Sequence, residues 1–226
     1  MRMWPDAVLW DMDGTLIDSE RAWLDAAAAL ACASDTTLEP AQLDRLVGAS
    51  MTTTAKVLQE SGVRGSAEVI VGTLTEQVRL GLVRDLRFRA GALELAASVA
   101  AAGVPQAIVS MSNRSIVDFV ASASPVQFTA RVAGDDVVHG KPHPEAYLLA
   151  AERLGAEPGR CIALEDSTTG LTAAIASGAV AVAVPLYLPV DAAGAVEWDD
   201  LVGRDFADLQ ALQPLSPAPI TALEER

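Results

Sequence analysis

The sequence predicts an α/β fold, with a parallel sheet covered by helices on both faces and an all-helical segment inserted into it. Three observations support this prediction. Short apolar runs alternate with helical patterns over most of the chain, residues 18–87 show no strand pattern, and several apolar runs end in polar turns. Alternation of strands and helices implies parallel strands that are joined by right-handed crossovers.

The first strand is predicted over residues 7–10, an apolar run that stops at the polar segment DMDGT. A short apolar run bounded by a glycine-containing turn is typical of a strand buried on both faces. Within residues 18–87, apolar side chains recur at helical spacing instead. Pro40 marks the start of one helix, because proline is tolerated in the first turn, and a further helix is expected over residues 67–81.

Strand and helix patterns alternate again after Gly91. The expected elements are helices over residues 92–102, 144–154 and 169–177, a helix after residue 114, and strands over residues 105–109, 128–133, 161–164 and 180–184. We therefore expect a core formed by residues 1–17 and 88–226 and a cap formed by residues 18–87. The proline-rich tail over residues 214–219 offers little to pack and is expected to fray.

The composition limits the classes of partner. The 226 residues suit one core domain with a modest insertion, and 30 acidic against 16 basic residues give a net charge of −14 with neutral histidines. This charge argues against nucleic acid and against an anionic membrane surface. No apolar run reaches the ~20 residues that span a bilayer, and no signal pattern begins the chain. Cys32 and Cys161 lie far apart in the sequence and are expected to be small core residues. We expect the protein to be cytoplasmic and to be a monomer or a weak homodimer.

Three of the predicted strands end in polar clusters. The clusters are Asp11 with Asp13, Ser110 with Ser112 and Asn113, and Glu165 with Asp166. In open α/β sheets ligands bind beyond the carboxyl ends of the strands, so the clusters meet at one site if their strands are neighbours. Gly14 and Gly170 are expected to let the backbone turn tightly beside this site. The helical segment follows the first cluster directly and is placed to cover the site.

The acidic clusters predict a metal ion. Carboxyl groups this close cannot all stay ionised without a compensating cation. Hard oxygen ligands with no nearby histidine or cysteine favour Mg²⁺ over zinc or copper. Each acid taken alone would be a solvated loop residue or a helix N-cap, and Asp166 is well placed to cap the following helix. That interpretation accounts poorly for acidic clusters at the ends of two separate buried strands.

Lys141 lies in the segment HGKPHP over residues 139–144, which its prolines hold rigid. A cation beside a magnesium–carboxylate cluster suits an anionic substrate, and phosphate is the obvious candidate. Taken alone, a lysine beside prolines is more often a solvated loop residue. His139 and His143 flank Lys141, but the sequence offers no third nitrogen or sulfur donor for a zinc site, so both are expected to be structural.

Four segments resemble motifs of the haloacid dehalogenase superfamily, in its phosphatase and β-phosphoglucomutase-like branch. They are DMDGTLIDSE at residues 11–20, IVS at residues 108–110, GKPHPE at residues 140–145, and LEDS at residues 164–167 followed by Gly170. Their order and spacing match the family across nearly the whole chain, and residues 18–87 correspond to its first-type helical cap. The resemblance implies a Rossmann-like core and a Mg²⁺-dependent phosphatase that hydrolyses a small phosphorylated metabolite, a phosphate monoester.

The resemblance also assigns roles to the acidic residues. Asp11 would be the nucleophile that forms an aspartyl-phosphate. Asp13 would be the general acid for the leaving alcohol and then the base for water, with its backbone carbonyl on the metal. Asp166 would complete the Mg²⁺ site, with Glu165 bound directly or through water.

Further residues are assigned to the phosphate and to the rest of the substrate. Ser110, Lys141 and the backbone amide of Met111 would hold the phosphoryl oxygens. Ser112 and Asn113 follow them in the chain and are candidates for contacts with the substrate.

A sugar-phosphate mutase is the alternative, and a non-catalytic binding module is a weaker one because every catalytic position carries a competent residue. A mutase needs cationic cap groups that grip a second phosphate. In the β-phosphoglucomutase branch, a histidine shortly after the first motif and an arginine after a Gly-x-Ser turn resemble such groups. At the matching positions this sequence carries Trp23 and Met51. Both are uncharged and are expected to form an apolar wall over the leaving group. Lys56 or Arg45 could supply the missing charge if the cap helices pack differently.

Overall fold

The computed structural model describes residues 4–47, 49, 51–191 and 193–212. Its strands are β1 (Ala7–Trp10), β2 (Gln106–Val109), β3 (Ala130–Val132), β4 (Cys161–Glu165), β5 (Val180–Ala183) and β6 (Val196–Glu197). They form a parallel sheet in the order β3-β2-β1-β4-β5-β6. This is the doubly wound order of a Rossmann-like core, so the predicted fold class is confirmed.

Helices follow β1, β2, β3, β4 and β6 along the chain. Those that follow β1 are α1 (Glu20–Ala33), α2 (Pro40–Asp44), α3 (Met51–Glu60) and α4 (Ala67–Arg84), and the described part of residues 18–87 contains no strand. The later helices are α5 (Ala92–Ala101), α6 (Arg114–Ala123), α7 (Glu145–Leu154), α8 (Thr168–Ala176) and α9 (Phe206–Ala211). As predicted, Pro40 is the first residue of α2. Among the described residues, no helix combines the length and the apolar character that crossing a membrane requires.

The sheet is covered on both faces, as its uninterrupted apolar strands predict. Along β1, Val8 and Trp10 pack on one face, and Ala7 and Leu9 pack on the other. The first face continues into the buried side chains of α1, α3 and α4. The second face is rich in alanine and packs against α7 and α8. The inserted helices therefore share one continuous hydrophobic cluster with the sheet.

Some local expectations need correction. Cys32 is exposed, because it lies on the solvent side of α1 next to the buried Ala31, whereas Cys161 is buried at the start of β4 as expected. The third strand is shorter than predicted. The sequence patterns do not predict β6 or α9, because each is too short to show a periodic pattern. The tail over residues 214–219 lies outside the described residues.

The chain enters and leaves the inserted helices at adjacent positions. The backbone N–H of Asp18 donates to the carbonyl oxygen of Arg87 (2.9 Å), and the N–H of Arg89 donates to that of Leu16 (3.0 Å). The two connections therefore run side by side at the edge of the sheet where β1 ends.

A buried arginine ties this crossing to the core. The Arg89 guanidinium donates to the carbonyl oxygens of Gly14 (2.9 Å), Pro185 (3.0 Å) and Val184. Burial lowers the pKa of Arg89 from its ordinary value, and the carbonyl groups replace the water that its charge loses. Arg89 thus fixes the turn after β1 against the end of β5.

Candidate active site

The polar ends of three strands meet, because β1 lies between β2 and β4. Trp10, the last residue of β1, pairs with Ile108 on one side and with Leu164 on the other. The residues that follow these positions therefore share one edge of the sheet. The sequence-based expectation that the clusters converge is confirmed by this pairing.

Lys141 lies at the centre of this edge. Its Nζ donates to Asp11 Oδ1 (2.6 Å), to Glu165 Oε1 (2.7 Å) and to the carbonyl oxygen of Val109 (2.9 Å). Only 6% of the side chain is exposed. Burial by itself would lower the pKa of Lys141, but the charges of Asp11 and Glu165 outweigh it and raise the pKa above its ordinary value. The ammonium group therefore stays charged and links the ends of all three strands.

Three carboxylates crowd this lysine. Asp11, Glu165 and Asp166 each offer an oxygen atom, and these atoms lie within 4.8 Å of one another. Burial, followed by repulsion from Glu165, raises the pKa of Asp11 from 3.8 to about 7. Burial, followed by repulsion from Asp11, raises the pKa of Asp166 from 3.8 to about 9. Lys141 alone does not neutralise the cluster.

The donor set fits Mg²⁺. Asp11 Oδ2 is buried and has no hydrogen-bond partner among the described residues, so it is free to take a cation. The cluster offers carboxylate oxygens, which are the ligands that Mg²⁺ prefers. A divalent cation would also relieve the repulsion that raises the pKa values of Asp11 and Asp166.

Two glycines make room for these carboxylates. Gly14 has a φ of +86°, and a Cβ there would lie 1.9 Å from Asp166 Oδ2. A Cβ on Gly170 would lie 1.7 Å from Glu165 Oε1. The expected tight turn is present at Gly14 but not at Gly170, which lies inside α8 and allows a close approach instead. Ser167, and not Asp166, caps α8, with its side chain accepting a hydrogen bond from Gly170 N–H.

Asp13 is surrounded by donors. Ser19 Oγ donates to its Oδ1 (2.7 Å), and Ser112 Oγ (2.8 Å) and Ser110 Oγ (3.1 Å) donate to its Oδ2. The indole N–H of Trp23, from α1, approaches Oδ1 at 3.4 Å. Trp23 therefore reaches the site with a polar edge as well as the apolar face that the sequence predicts.

Glu165 is saturated with hydrogen bonds. Its Oε1 accepts from Lys141 and from the buried Tyr147 hydroxyl (2.7 Å). Its Oε2 accepts from Ser167 Oγ (3.0 Å) and from the backbone N–H groups of Ser167 and Asp166. Glu165 therefore holds Lys141 in place from behind, in a position where both of its oxygens are already engaged.

The other expected substrate residues lie near this edge with different partners. Met111 Sδ accepts a hydrogen bond from the backbone N–H of Lys141 (3.3 Å). Asn113 caps α6, because its side-chain oxygen accepts from the backbone N–H of Ile116 (3.2 Å). Met51 begins α3 and is half-buried.

Sequence reasoning assigns no role to three residues that the structure brings to the site or its support. Ser19 holds Asp13, Tyr147 holds Glu165, and Arg89 holds the turn at Gly14. Ser19 lies within the DMDGTLIDSE segment, so its position was a usable signal. Tyr147 and Arg89 carry no local signal, because their partners are distant in sequence.

Comparison with known proteins gives consistent similarities. A family model described as haloacid dehalogenase-like hydrolase matches residues 5–178. Hexitol phosphatase A of Escherichia coli (strain K12) is 29% identical over 184 residues, which are 78% of this chain and 81% of that protein. CbbY from Rhodobacter sphaeroides, solved in complex with phosphate, is similar with a TM-score of 0.79 and 25% identity, covering 90% of this chain and 98% of that one. A β-phosphoglucomutase from Clostridium difficile shares the fold at a TM-score of 0.75 and 19% identity, covering 91% of this chain and 95% of that one.

Proposed function

Because this chain belongs to the haloacid dehalogenase-like hydrolase family, whose model matches most of its length, we propose that it is a Mg²⁺-dependent phosphatase of small sugar or sugar-alcohol phosphates. One observation carries the proposal. Lys141 holds one carboxylate oxygen of Asp11, while the other is buried with no hydrogen-bond partner among the described residues. A carboxylate that Lys141 orients through one oxygen, with its other oxygen free for Mg²⁺, is equipped to attack the phosphorus of a monoester.

In the first step, an Asp11 oxygen bonds to phosphorus and the bond from phosphorus to the alcohol oxygen breaks. Asp13 gives a proton to the leaving oxygen. Ser110, Lys141 and the backbone amide of Met111 are proposed to hold the phosphoryl oxygens. Attack by an anion on an anion needs such positive charge, and the Lys141 ammonium is already in contact with Asp11.

In the second step, Asp13 takes a proton from water, whose oxygen bonds to phosphorus while the bond to Asp11 breaks. Inorganic phosphate leaves and the Asp11 carboxylate is restored. Ser19, Ser110 and Ser112 support this exchange, because their hydroxyls fix the Asp13 carboxylate in one orientation.

The Mg²⁺ ion supplies positive charge that offsets the charges of the phosphate and of the nucleophile. Asp11, Asp166 and the backbone carbonyl of Asp13 are proposed to hold it. Glu165 would contact it through water, since each Glu165 oxygen already accepts at least two hydrogen bonds.

The similarity to hexitol phosphatase A and the residues of the cap support the proposed substrate class. Residues 18–87 are proposed to act as a cap over the leaving group, with Trp23 and Met51 on its inner side. The Trp23 indole lies against Asp13 and offers both an apolar face and an N–H, which suit a hydroxylated carbon chain. Ser112 would contact the same part of the substrate.

The alternative of a sugar-phosphate mutase is less well supported. Its bisphosphorylated intermediate needs a cation on the cap that faces the core. Arg45 is engaged with Glu60 (2.8 Å), Lys56 is exposed on α3, and Trp23 is uncharged. These three positions thus supply no buried cation for a second phosphate.

Phosphate release from a panel of hexitol, hexose and nucleoside monophosphates tests the proposal. We expect turnover of sugar or sugar-alcohol phosphates that EDTA abolishes and Mg²⁺ restores, with Asp11→Asn as the inactive control. Undiminished turnover in thoroughly demetallated enzyme, or no release from any monoester, would contradict it.

The mutase alternative is tested with a hexose 1-phosphate and a trace of the 1,6-bisphosphate, followed by ³¹P NMR. Inorganic phosphate as the main product supports the hydrolase. Hexose 6-phosphate that accumulates faster than phosphate would favour the mutase.

A further inference from the structure

Two histidines and a glutamate form a second cluster of metal-binding groups, outside the carboxylate site. His139 and His143 flank Lys141 in the chain, and Glu145 begins α7. Each offers one donor atom, and these atoms lie within 4.8 Å of one another. The side chains of His139 and His143 are 64% and 51% exposed, so an ion in solution can reach them.

Glu145 is fixed as an anion at the centre of this cluster. Its Oε1 accepts from the backbone N–H of Val138 (2.8 Å), and its Oε2 accepts from the backbone N–H of His139 (3.0 Å). These backbone hydrogen bonds, with Val138 as the largest contribution, hold the pKa of Glu145 below its ordinary value. The backbone hydrogen bonds therefore already hold the carboxylate in place, where it presents a negative charge to both imidazoles.

The distances suit a shared ion. Glu145 Oε2 lies 3.0 Å from His139 Nδ1, within hydrogen-bond distance, and 3.9 Å from His143 Nδ1. His143 Nδ1 accepts a hydrogen bond from the backbone N–H of Glu145 (3.3 Å), and a bound ion would replace these contacts. Bonds of ~2.0–2.1 Å to a tetrahedral ion place its ligand atoms roughly 3.3 Å apart, which falls between the two distances from Glu145 Oε2. The imidazole rings lie beside each other, with centroids 4.7 Å apart and planes tilted by 39°.

We propose that His139, His143 and Glu145 bind one divalent transition-metal ion of the Zn²⁺ class, at a site separate from the Mg²⁺ site. Two imidazoles and a carboxylate select zinc, nickel or copper over magnesium, which prefers oxygen ligands. Three protein ligands leave a fourth position open. The bound ion would join both ends of the segment that carries Lys141. The proposal does not rest on the phosphatase activity.

The protein contains only two histidines, so their imidazole NMR signals report this site directly. Full-length, tag-free protein is titrated with Zn²⁺ in the presence of excess Mg²⁺, which occupies the carboxylate site. We expect both histidine signals to change together and to saturate at one equivalent of Zn²⁺. Unchanged histidine signals, or independent changes with no shared saturation, would overturn the proposal.

Variants separate the two sites. His143→Gln and Glu145→Gln should each weaken Zn²⁺ binding at least about tenfold, measured by calorimetry, because each removes one ligand. Asp166→Asn alters only the carboxylate cluster and should leave the response of the histidine signals intact. If Asp166→Asn abolishes that response while His143→Gln preserves Zn²⁺ binding, the ion belongs to the carboxylate cluster and the second site does not exist.

Discussion

The backbone of Gly14 passes so close to Asp166 that a Cβ at position 14 would lie 1.9 Å from Asp166 Oδ2. We expect Gly14→Ala to displace the Asp166 carboxylate and to weaken Mg²⁺ binding and phosphatase activity together. Gly103→Ala is the matched control, because Gly103 has a similar φ of +75° with no atom within 4 Å of a Cβ.

Both alanine variants adopt the left-handed backbone conformation at a cost of about 1–2 kcal/mol, so both should lose stability. Only Gly14→Ala should lose Mg²⁺ affinity in a calorimetric titration. Equal Mg²⁺ affinities in the two variants would show that the close approach to Asp166 is unimportant for the metal.

Tyr147 is expected to stabilise the site through Glu165. Tyr147→Phe removes a buried hydroxyl that donates to a carboxylate, which costs about 1–3 kcal/mol in the free energy of unfolding. The other tyrosine, Tyr187, is half exposed and donates to Asp18, so Tyr187→Phe should cost less than about 1 kcal/mol. Urea unfolding in EDTA measures both, and similar losses would refute a special role for Tyr147.

Variants at Asp11 and at Asp13 should be blocked at different steps of the reaction. Asp11→Asn should abolish turnover with the fold intact, because an amide has the same shape but is a poor nucleophile. Asp13→Asn should lower turnover by ~10²–10⁴-fold and accumulate the phosphorylated enzyme, which intact-protein mass spectrometry detects. Turnover close to that of the wild type in Asp11→Asn would exclude the covalent mechanism.

The stability of the metal-free protein should fall as pH rises from about 4 to about 9. Asp11 and Asp166 have pKa values of about 7 and about 9 in the folded chain, against 3.8 ordinarily, so the folded state binds more protons in this range. Mg²⁺ binds the ionised carboxylates and should therefore raise the melting temperature more at high pH than at low pH.

Melting curves at several pH values, with EDTA and with excess Mg²⁺, measure this difference. Asp166→Asn should flatten the pH dependence in EDTA and reduce the shift that Mg²⁺ causes. A shift of the same size at every pH would contradict the proposed competition between protons and the metal.

The sheet and the edge at which its polar clusters meet could be predicted because their signals are local. The apolar run before Asp11 and the polar turn after it lie within one short segment, and the same holds for Ser110 and Glu165. The sequence leaves open whether the three strands are neighbours, and the pairing of β1 with β2 and with β4 shows that they are.

The features that the sequence does not predict depend largely on which face of a helix points inward. Tyr147 and Cys32 both lie in alanine-rich helices, yet one side chain is fully buried and the other is exposed. An alanine-rich helix gives a weak amphipathic pattern, since small side chains occur on both faces. Likewise, nothing in the sequence near Arg89 indicates that its partners are carbonyl groups of residues 14, 184 and 185.

The side-by-side crossing at Leu16 and Arg89 also bears on how the chain assembles. The neighbouring strands β1 and β2 are separated in sequence by the whole of residues 18–87, and a flexible loop of that length would carry an entropic cost on closure. The hydrogen bonds between Asp18 and Arg87 and between Arg89 and Leu16 join the two ends of the insert. Once they form, only α5 separates this crossing from β2 along the chain, so the loop that must close to pair β1 with β2 is effectively much shorter. The same feature lets the length of the insert vary without altering the register of the strands, as long as its helices still pack against the hydrophobic cluster that they share with the sheet.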